Sequence, residues 1–173
     1  MIPDKDLYFE RYTEILLHMT KKSAGILLYR FHNKVAEVLI VHPGGPFWAK
    51  KDMGAWSIPK GELSRDENPL DAAKRELEEE TGIKATGKFI ELTPVKQKSG
   101  KLVYAWALQK DTDPATIRSN NFEMEWPPKS GKKKTFPEID AAAWFSMDEA
   151  KKKMINEQAT LIDELKAKLD AME

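Results

Sequence analysis

Residues 61–83, GELSRDENPLDAAKRELEEETGI, carry the strongest structural signal in this chain of 173 residues. Asn68 and Pro69 are favoured at the N-cap and at the first position of a helix. Gly82 is favoured at its end, because glycine readily takes the left-handed conformation. An apolar stripe recurs at helical spacing, formed by Leu70, Ala73 and Leu77. The stretch therefore predicts a helix over about residues 68–81.

Three glutamates of this helix, Glu76, Glu79 and Glu80, fall at positions i, i+3 and i+4. That spacing places their carboxylates on one face within about one turn. Two interpretations are open from the residues alone. The acidic face is either solvated, as most runs of charge are, or it holds a hard divalent cation. Mg²⁺ takes carboxylate oxygens and keeps several waters for substrate phosphates.

The whole stretch reads G-x5-E-x7-R-E-L-x-E-E-x-G-I, which resembles the Nudix box at every specified position. The preceding residues 56–60, WSIPK, also resemble the segment that leads into the box in many family members. The resemblance implies an α+β fold of the Nudix type. In that fold, an α/β/α sandwich surrounds a mixed β-sheet, with the catalytic helix at about 68–81 and another helix at the C-terminus.

The resemblance also implies a reaction, the metal-dependent hydrolysis of a diphosphate linkage in a nucleoside diphosphate joined to another group. Mg²⁺ or Mn²⁺ would neutralise phosphate oxygens and activate a water. The implied ligands are the Gly61 carbonyl and the catalytic box carboxylates, Glu76, Glu79 and Glu80. By the same pattern Glu67 and Arg75 are structural, and their ion pair would hold the loop after Gly61 on the helix.

Two kinds of residue could act as the general base. One is a box glutamate, with Glu79 preferred, and the other is a carboxylate from a later loop. Glu123 and Glu125 are the later candidates, and both are otherwise ordinary solvated acids. Glu125 is preferred because the following Trp-Pro-Pro at 126–128 would make its surroundings rigid. Lys60, directly before the box, is either a contact for a substrate phosphate or an exposed lysine.

The box does not define the substrate. Family members that act on dinucleoside polyphosphates often carry a downstream tyrosine, and Tyr104 lies a few residues beyond that position. Members specific for ADP-ribose often carry a proline where this chain has Lys98 and Ser99. We therefore predict a dinucleoside polyphosphate such as diadenosine tetraphosphate. The alternatives are a modified nucleoside triphosphate and, in another class, a non-catalytic nucleotide-binding module.

Phe47 and Trp48 follow a run of proline and glycine, residues 43–46, which predicts a loop. A loop is an unusual place for two large rings, so we predict that they stack on a base of the substrate. Tyr104 is a further candidate for this role, although most aromatic rings belong to a core. The surrounding residues 44–53 resemble an insertion.

Composition excludes several classes of function. Lys and Arg number 28 against 28 Asp and Glu, and this balance argues against nucleic-acid binding through bulk positive charge. The absence of cysteine excludes disulfides, zinc–thiolate sites and thiol nucleophiles. No apolar run predicts a membrane span and no signal peptide opens the chain, so the expected location is the cytoplasm. We expect a small-molecule partner and either a monomer or a homodimer.

The remaining pattern predicts one domain over residues 19–173 after an extension, residues 1–18, that is predicted to be helical. Ser146 and Glu149 form a capping box that begins a C-terminal helix with a break near Asn156. Strands are predicted at 23–29, 35–41, 56–59, 86–93, 102–108 and 141–145, with an extended piece at 122–126 and a basic turn at 129–134.

Overall fold

A computed structural model describes residues 21–173, so the predicted N-terminal helix over residues 1–18 lies outside the described residues. The strands are β1 (Lys22–His32), β2 (Val35–Pro43), β3 (Lys60–Glu62), β4 (Phe89–Lys96), β5 (Leu102–Gln109), β6 (Asn121–Glu125), β7 (Lys133–Pro137) and β8 (Ile139–Ser146). The helices are α1 (Pro69–Thr81), α2 (Met147–Lys153) and α3 (Ala159–Asp170), with 3₁₀ turns at Pro114–Thr116 and Asn156–Gln158.

The main sheet is mixed, as predicted. Its strand order is β4-β5-β1-β2-β8, and β3 pairs with β1 beside β2. Strand β1 runs parallel to β5 and antiparallel to β2 and β3. Strands β6 and β7 form a separate antiparallel hairpin.

Helices cover both faces of this sheet. On one face α1 buries Ala72, Ala73 and Leu77 against strand residues. On the other face α2 and α3 cover a second apolar layer, to which α3 contributes Leu161, Ile162 and Leu165. The predicted α/β/α sandwich of the Nudix type is therefore confirmed.

Helix α1 begins and ends where its sequence predicts. The Asn68 side chain accepts hydrogen bonds from the backbone N–H groups of Leu70 and Asp71, at 3.0 and 3.2 Å. Gly82 ends the helix with a φ of +76°, and its N–H donates to the Glu78 carbonyl at 2.7 Å. These local contacts fix the helix that carries the three box glutamates.

Most of the predicted strands are longer or shifted in the structure, two begin later than predicted, and one strand was not predicted. Residues 56–59 form only isolated bridges, and the ladder with β1 begins at Lys60, because Pro59 has no N–H to donate to a ladder. The strand predicted from residue 86 begins at Phe89, since Gly87 has a φ of +134°. Strand β7 occupies part of the predicted basic turn and was not predicted.

The C-terminal prediction is confirmed in outline. Ser146 Oγ accepts the backbone N–H of Glu149 at 3.3 Å and begins α2. The predicted break near Asn156 is the 3₁₀ turn between α2 and α3. Between residues 21 and 173, no helix is both long enough and apolar enough to cross a membrane.

Candidate metal and substrate site

Gly61 lies in β3, opposite Ala24 of β1, where the strand passes beside α1. A Cβ atom at this position would overlap the carboxyl group of Glu76. Glycine therefore lets the β3 backbone approach the box carboxylates. The structure brings together two of the predicted metal ligands, one from β3 and one from α1.

Arg75 ties the loop after β3 to helix α1. Its Nε and Nη2 donate to the two carboxylate oxygens of Glu67 at 2.9 and 3.0 Å. Its Nη1 donates to Glu76 at 2.8 Å and to Glu79 at 3.0 Å. The hydrogen bonds from Arg75 hold the pKa of Glu67 at about 2. This geometry matches the structural role that the box predicts for Arg75 and Glu67.

Glu80 and Lys60 lie in a poorly solvated place between α1 and β3. Glu80 Oε2 accepts the backbone N–H of Lys60 at 3.1 Å. Burial raises the pKa of Glu80 to about 8, and the charges of Glu76 and Glu138 act in the same direction, against the Lys60 ammonium. Burial also lowers the pKa of Lys60. The charged forms of both Glu80 and Lys60 are therefore energetically unfavourable in the absence of a ligand.

The donor set fits a hard divalent cation. Burial raises the pKa of Glu76 as well, and the charges of Glu79 and Glu138 add to this effect, while Arg75 lowers the pKa. A cation relieves such crowding among carboxylates, and oxygen is the ligand atom that Mg²⁺ prefers. Within residues 21–173 no three acidic or histidine side chains already surround one point. Arg75 holds Glu76 and Glu79, and the Lys60 N–H holds Glu80.

Glu138 is an acid near the box that the sequence analysis missed. It lies between β7 and β8, where its N–H donates to the Asn120 carbonyl at 2.8 Å and its carbonyl accepts the Gly44 N–H at 2.9 Å. Its charge contributes to the raised pKa of both Glu76 and Glu80, so it acts on the electrostatics of the same site. No sequence motif marks this residue, because its position depends on the pairing of β2 with β8.

Glu123 and Glu125 lie on the exposed side of strand β6. Glu123 pairs with Lys133 at 3.5 Å, and Glu125 accepts the Gly131 N–H at 3.4 Å. Neither is among the charges that contribute most to the pKa shifts of the box glutamates. The role of Glu125 as general base stays a prediction, and Glu138 is the better placed later carboxylate.

The three predicted aromatic contacts differ in accessibility. Phe47 and Trp48 lie in the loop after β2, with 58% and 37% of their surface exposed. The Phe47 ring packs edge-to-face against Trp126 of β6–β7, with centroids 5.4 Å apart. Tyr104 lies on the α1 face of β5 and is partly buried in the layer beneath the helix. A ligand can reach the loop rings most easily.

Comparison with known proteins identifies the family. Residues 19–165 match the family model described as NUDIX domain. The chain therefore belongs to the Nudix family, as the box predicts.

The chain is similar to curated relatives with three different names. One is bis(5'-nucleosyl)-tetraphosphatase [asymmetrical] from Rattus norvegicus, 32% identical over 108 residues, which are 55% of this chain and 69% of that protein. Nudix hydrolase 6 from Arabidopsis thaliana is 32% identical over 129 residues, 72% of this chain and 39% of that protein. RNA pyrophosphohydrolase from Thioalkalivibrio sulfidiphilus is 58% identical over 38 residues, 21% of this chain and 22% of that protein. The aligned parts thus span from 22% to 69% of these relatives.

Solved structures show the same fold. A C. elegans Ap4A hydrolase in a binary complex aligns with a TM-score of 0.63 and 21% identity, over 88% of this chain and 99% of that one. The NUDIX domain of Shewanella oneidensis NrtR, complexed with ADP ribose, aligns with a TM-score of 0.60 and 15% identity, over 96% of this chain and 99% of that one.

Proposed function

We propose that this chain is a pyrophosphohydrolase that cleaves a diphosphate linkage in a nucleoside diphosphate joined to another group. The observation that carries the proposal is the complete box, with Glu76 packed against the Gly61 backbone and the pKa of Glu80 raised to about 8. Mg²⁺ or Mn²⁺ would be held by the Gly61 carbonyl and by the box carboxylates, Glu76, Glu79 and Glu80. Such an ion neutralises phosphate oxygens and lowers the pKa of a bound water.

The chain's own side chains supply the remaining chemistry. Lys60 is the candidate contact for a substrate phosphate, and its poorly solvated position would strengthen that interaction. Glu79 and Glu138 are the candidates that take a proton from the attacking water, with Glu125 as the earlier alternative. Glu79 is well suited because about half of its side chain is exposed, 49%, despite its contact with Arg75.

The substrate we propose is a dinucleoside polyphosphate such as diadenosine tetraphosphate. Similarity to the rat tetraphosphatase over 55% of this chain supports this choice. Two sets of aromatic rings near the box, Phe47 with Trp48 and Tyr104, also favour a substrate with nucleoside bases. The 5' end of an RNA is a second candidate, favoured by the short match to an RNA pyrophosphohydrolase.

A substrate panel with Mg²⁺ and with Mn²⁺, analysed by chromatography of the products, tests the proposal. The panel contains diadenosine tetraphosphate, 5'-triphosphorylated RNA, ADP-ribose and both ordinary and oxidised nucleoside triphosphates. We expect diadenosine tetraphosphate to yield ATP and AMP. Preferential release of pyrophosphate from a triphosphate would instead support the alternative enzyme. Nucleotide binding without turnover of any compound would identify a non-catalytic module and contradict the proposal.

Glu79→Gln and Glu80→Gln each test the assignment of the metal ligands. Each change removes one carboxylate charge but keeps the side-chain size, so we expect kcat to fall by roughly 100-fold or more while folding survives. Glu78→Gln is the matched control, because Glu78 is exposed on the same helix and stands at an unspecified position of the box. Near-normal rates for both test variants would contradict the assignment.

A further inference from the structure

The loop formed by residues 44–53 is fixed at its first end. The Gly44 N–H donates to the carbonyl of Glu138 at 2.9 Å. Gly45 has a φ of +98°, and the Phe122 ring of β6 packs so closely that an added Cβ would lie 2.9 Å from it. A side chain at residue 45 would therefore be strained by the positive φ and would push against the Phe122 ring.

The second end of the loop is fixed by polar contacts, some part-buried and some exposed. His42 of β2 places Nδ1 2.7 Å from the Asp140 carboxylate and Nε2 2.5 Å from the Lys51 carbonyl. Lys153 Nζ donates to the Asp52 carboxylate at 2.8 Å. With both ends held, the rings between them are presented in one preferred arrangement before any ligand binds.

The two loop rings, Phe47 and Trp48, and the partly buried Trp126 after β6 form an aromatic surface, here called the Phe47–Trp126 surface. Phe47 is 58% exposed although it touches Trp126, and Lys51 Nζ lies 5.0 Å from the centre of the Trp48 ring. Phe47 and Trp48 remain accessible to a ligand, and Trp126 is partly buried beside Phe47. Their arrangement suits the face of a flat ligand, because every nucleoside base can stack on an aromatic ring.

This surface and Tyr104 lie on opposite sides of the segment that carries Gly61. Ala24 of β1 pairs with Gly61 on one side and with Tyr104 on the other. The chain before Gly61 lies between β1 and the end of β2, since Ser57 pairs with Val41. The loop then leaves the end of β2 at Gly44. Aromatic positions therefore flank the box from two directions.

Charge around the Phe47–Trp126 surface complements phosphate. Residues 44–53 and 121–137 together contain six lysines and three acids, in a chain whose net charge is zero. Four of the lysines lie in or next to the turn between β6 and β7, at positions 129, 132, 133 and 134. An anionic ligand with a base is the chemistry that this combination recognises.

We propose that the Phe47–Trp126 surface binds the second nucleoside of a dinucleoside polyphosphate by stacking on its base. A ligand with a base at each end of a phosphate chain matches two aromatic positions on opposite sides of the box. The lysines of the β6–β7 turn then lie beside the phosphates. This inference rests on the proposed function, because the phosphate chain must cross the box glutamates.

The test compares two substrates that share the phosphate chain, diadenosine tetraphosphate and adenosine 5'-tetraphosphate, which lacks the second nucleoside. We expect Phe47→Ala to reduce the preference for diadenosine tetraphosphate, measured as the ratio of kcat/KM values, by about five-fold or more, mainly through KM. Phe47→Tyr keeps a ring and should restore the preference. Phe31→Ala removes a ring that is 48% exposed at the other end of β1 and should leave the ratio unchanged.

Four results would overturn the inference. They are an unchanged ratio in Phe47→Ala, the same loss on both substrates, a selective loss only on 5'-triphosphorylated RNA, and altered sedimentation with normal kinetics, which would indicate self-association. Failure of the wild-type chain to cleave either compound would overturn the proposed function instead. Calorimetric titration of both compounds into wild type and Phe47→Ala then tests the second-nucleoside contact without catalysis.

Discussion

At the scale of single residues, Glu80 connects the stability of the chain with its chemistry. Its carboxylate is partly withdrawn from water beside Lys60 and close to two other acids, Glu76 and Glu138. The folded protein therefore favours the protonated form of this side chain. A metal ligand must be ionised, so the same environment that suits a cation is unfavourable without one.

This environment predicts a pH dependence for the metal-free protein. The pKa of Glu80 is about 8 in the folded state and 4.5 when unperturbed, so the folded state binds more protons between these values. The contribution of Glu80 to stability is complete below about pH 4.5 and is lost as the pH rises through about 8. Urea denaturation across this range, with a chelator present, should show a falling free energy of unfolding.

The Glu80→Gln variant isolates this contribution, because its amide does not titrate. Its free energy of unfolding should fall less steeply with pH than that of the wild type. If the wild type gained stability relative to the variant over the same range, the electrostatic account of Glu80 would be wrong.

Individual site residues were predictable from sequence only where their partners are local. Glu76, Glu79 and Glu80 share a face because they share a helix, and Arg75 meets Glu67 within the same stretch. Glu138 approaches the box only because β2 pairs with β8. A contact of that kind has no periodic pattern in the sequence. The later-loop candidates predicted from the sequence were therefore Glu123 and Glu125, not Glu138.

At the scale of elements, the loop between β3 and α1 depends on the planar, forked guanidinium of Arg75. That group donates hydrogen bonds to the carboxylates of Glu67, Glu76 and Glu79 and to the Glu62 carbonyl. A lysine has one ammonium group and cannot reproduce two parallel hydrogen bonds to Glu67. The loop and the helix should therefore separate more easily when Arg75 is replaced, even by another cation.

Arg75→Lys should lower metal affinity or activity by about 10-fold or more, because it loosens the group that orients two box glutamates. Titration of activity with Mg²⁺ should show half-maximal rate at a higher concentration. Arg65→Lys makes the same chemical change at an exposed position of the same loop and should behave as wild type. An equal effect of both changes would indicate a general loss of positive charge rather than loss of the fork.

Helices and strands were predicted well where residues at their ends mark where they begin and end. Helix α1 has its cap, its proline and its terminal glycine within the sequence that it spans. Strand β7 reads KKTFP, and only Phe136 of its residues is partly buried, so no alternation reveals it. Its existence depends on the hydrogen bonds that it makes with β6, which no local propensity reports.

At the scale of the whole molecule, the sheet separates the candidate site from the larger apolar layer. Helix α1 and the box lie on one face, and α3 buries Leu161 completely on the other. We expect the second layer to determine global stability while leaving the geometry of bound substrate unchanged.

Leu161→Ala should reduce the free energy of unfolding by about 2–5 kcal/mol, because it leaves a cavity in a close-packed layer. Substrate KM, measured well below the melting temperature, should remain near the wild-type value. Lys166→Ala on the exposed side of α3 is the control for helix propensity. A large change in KM for Leu161→Ala alone would show that the two faces are coupled.

The pairing of β2 with β8 has a consequence for synthesis of the chain. His42 and Ala141 are register partners almost a hundred positions apart. Strand β2 is therefore synthesised long before β8, with which it pairs. Until then β2 offers an open edge that carries Val38, Leu39, Ile40 and Val41, all buried in the finished fold. An unpaired apolar edge is where strands of separate molecules join. A nascent chain that ends before β8 therefore already holds every box glutamate while this edge of β2 is still unpaired.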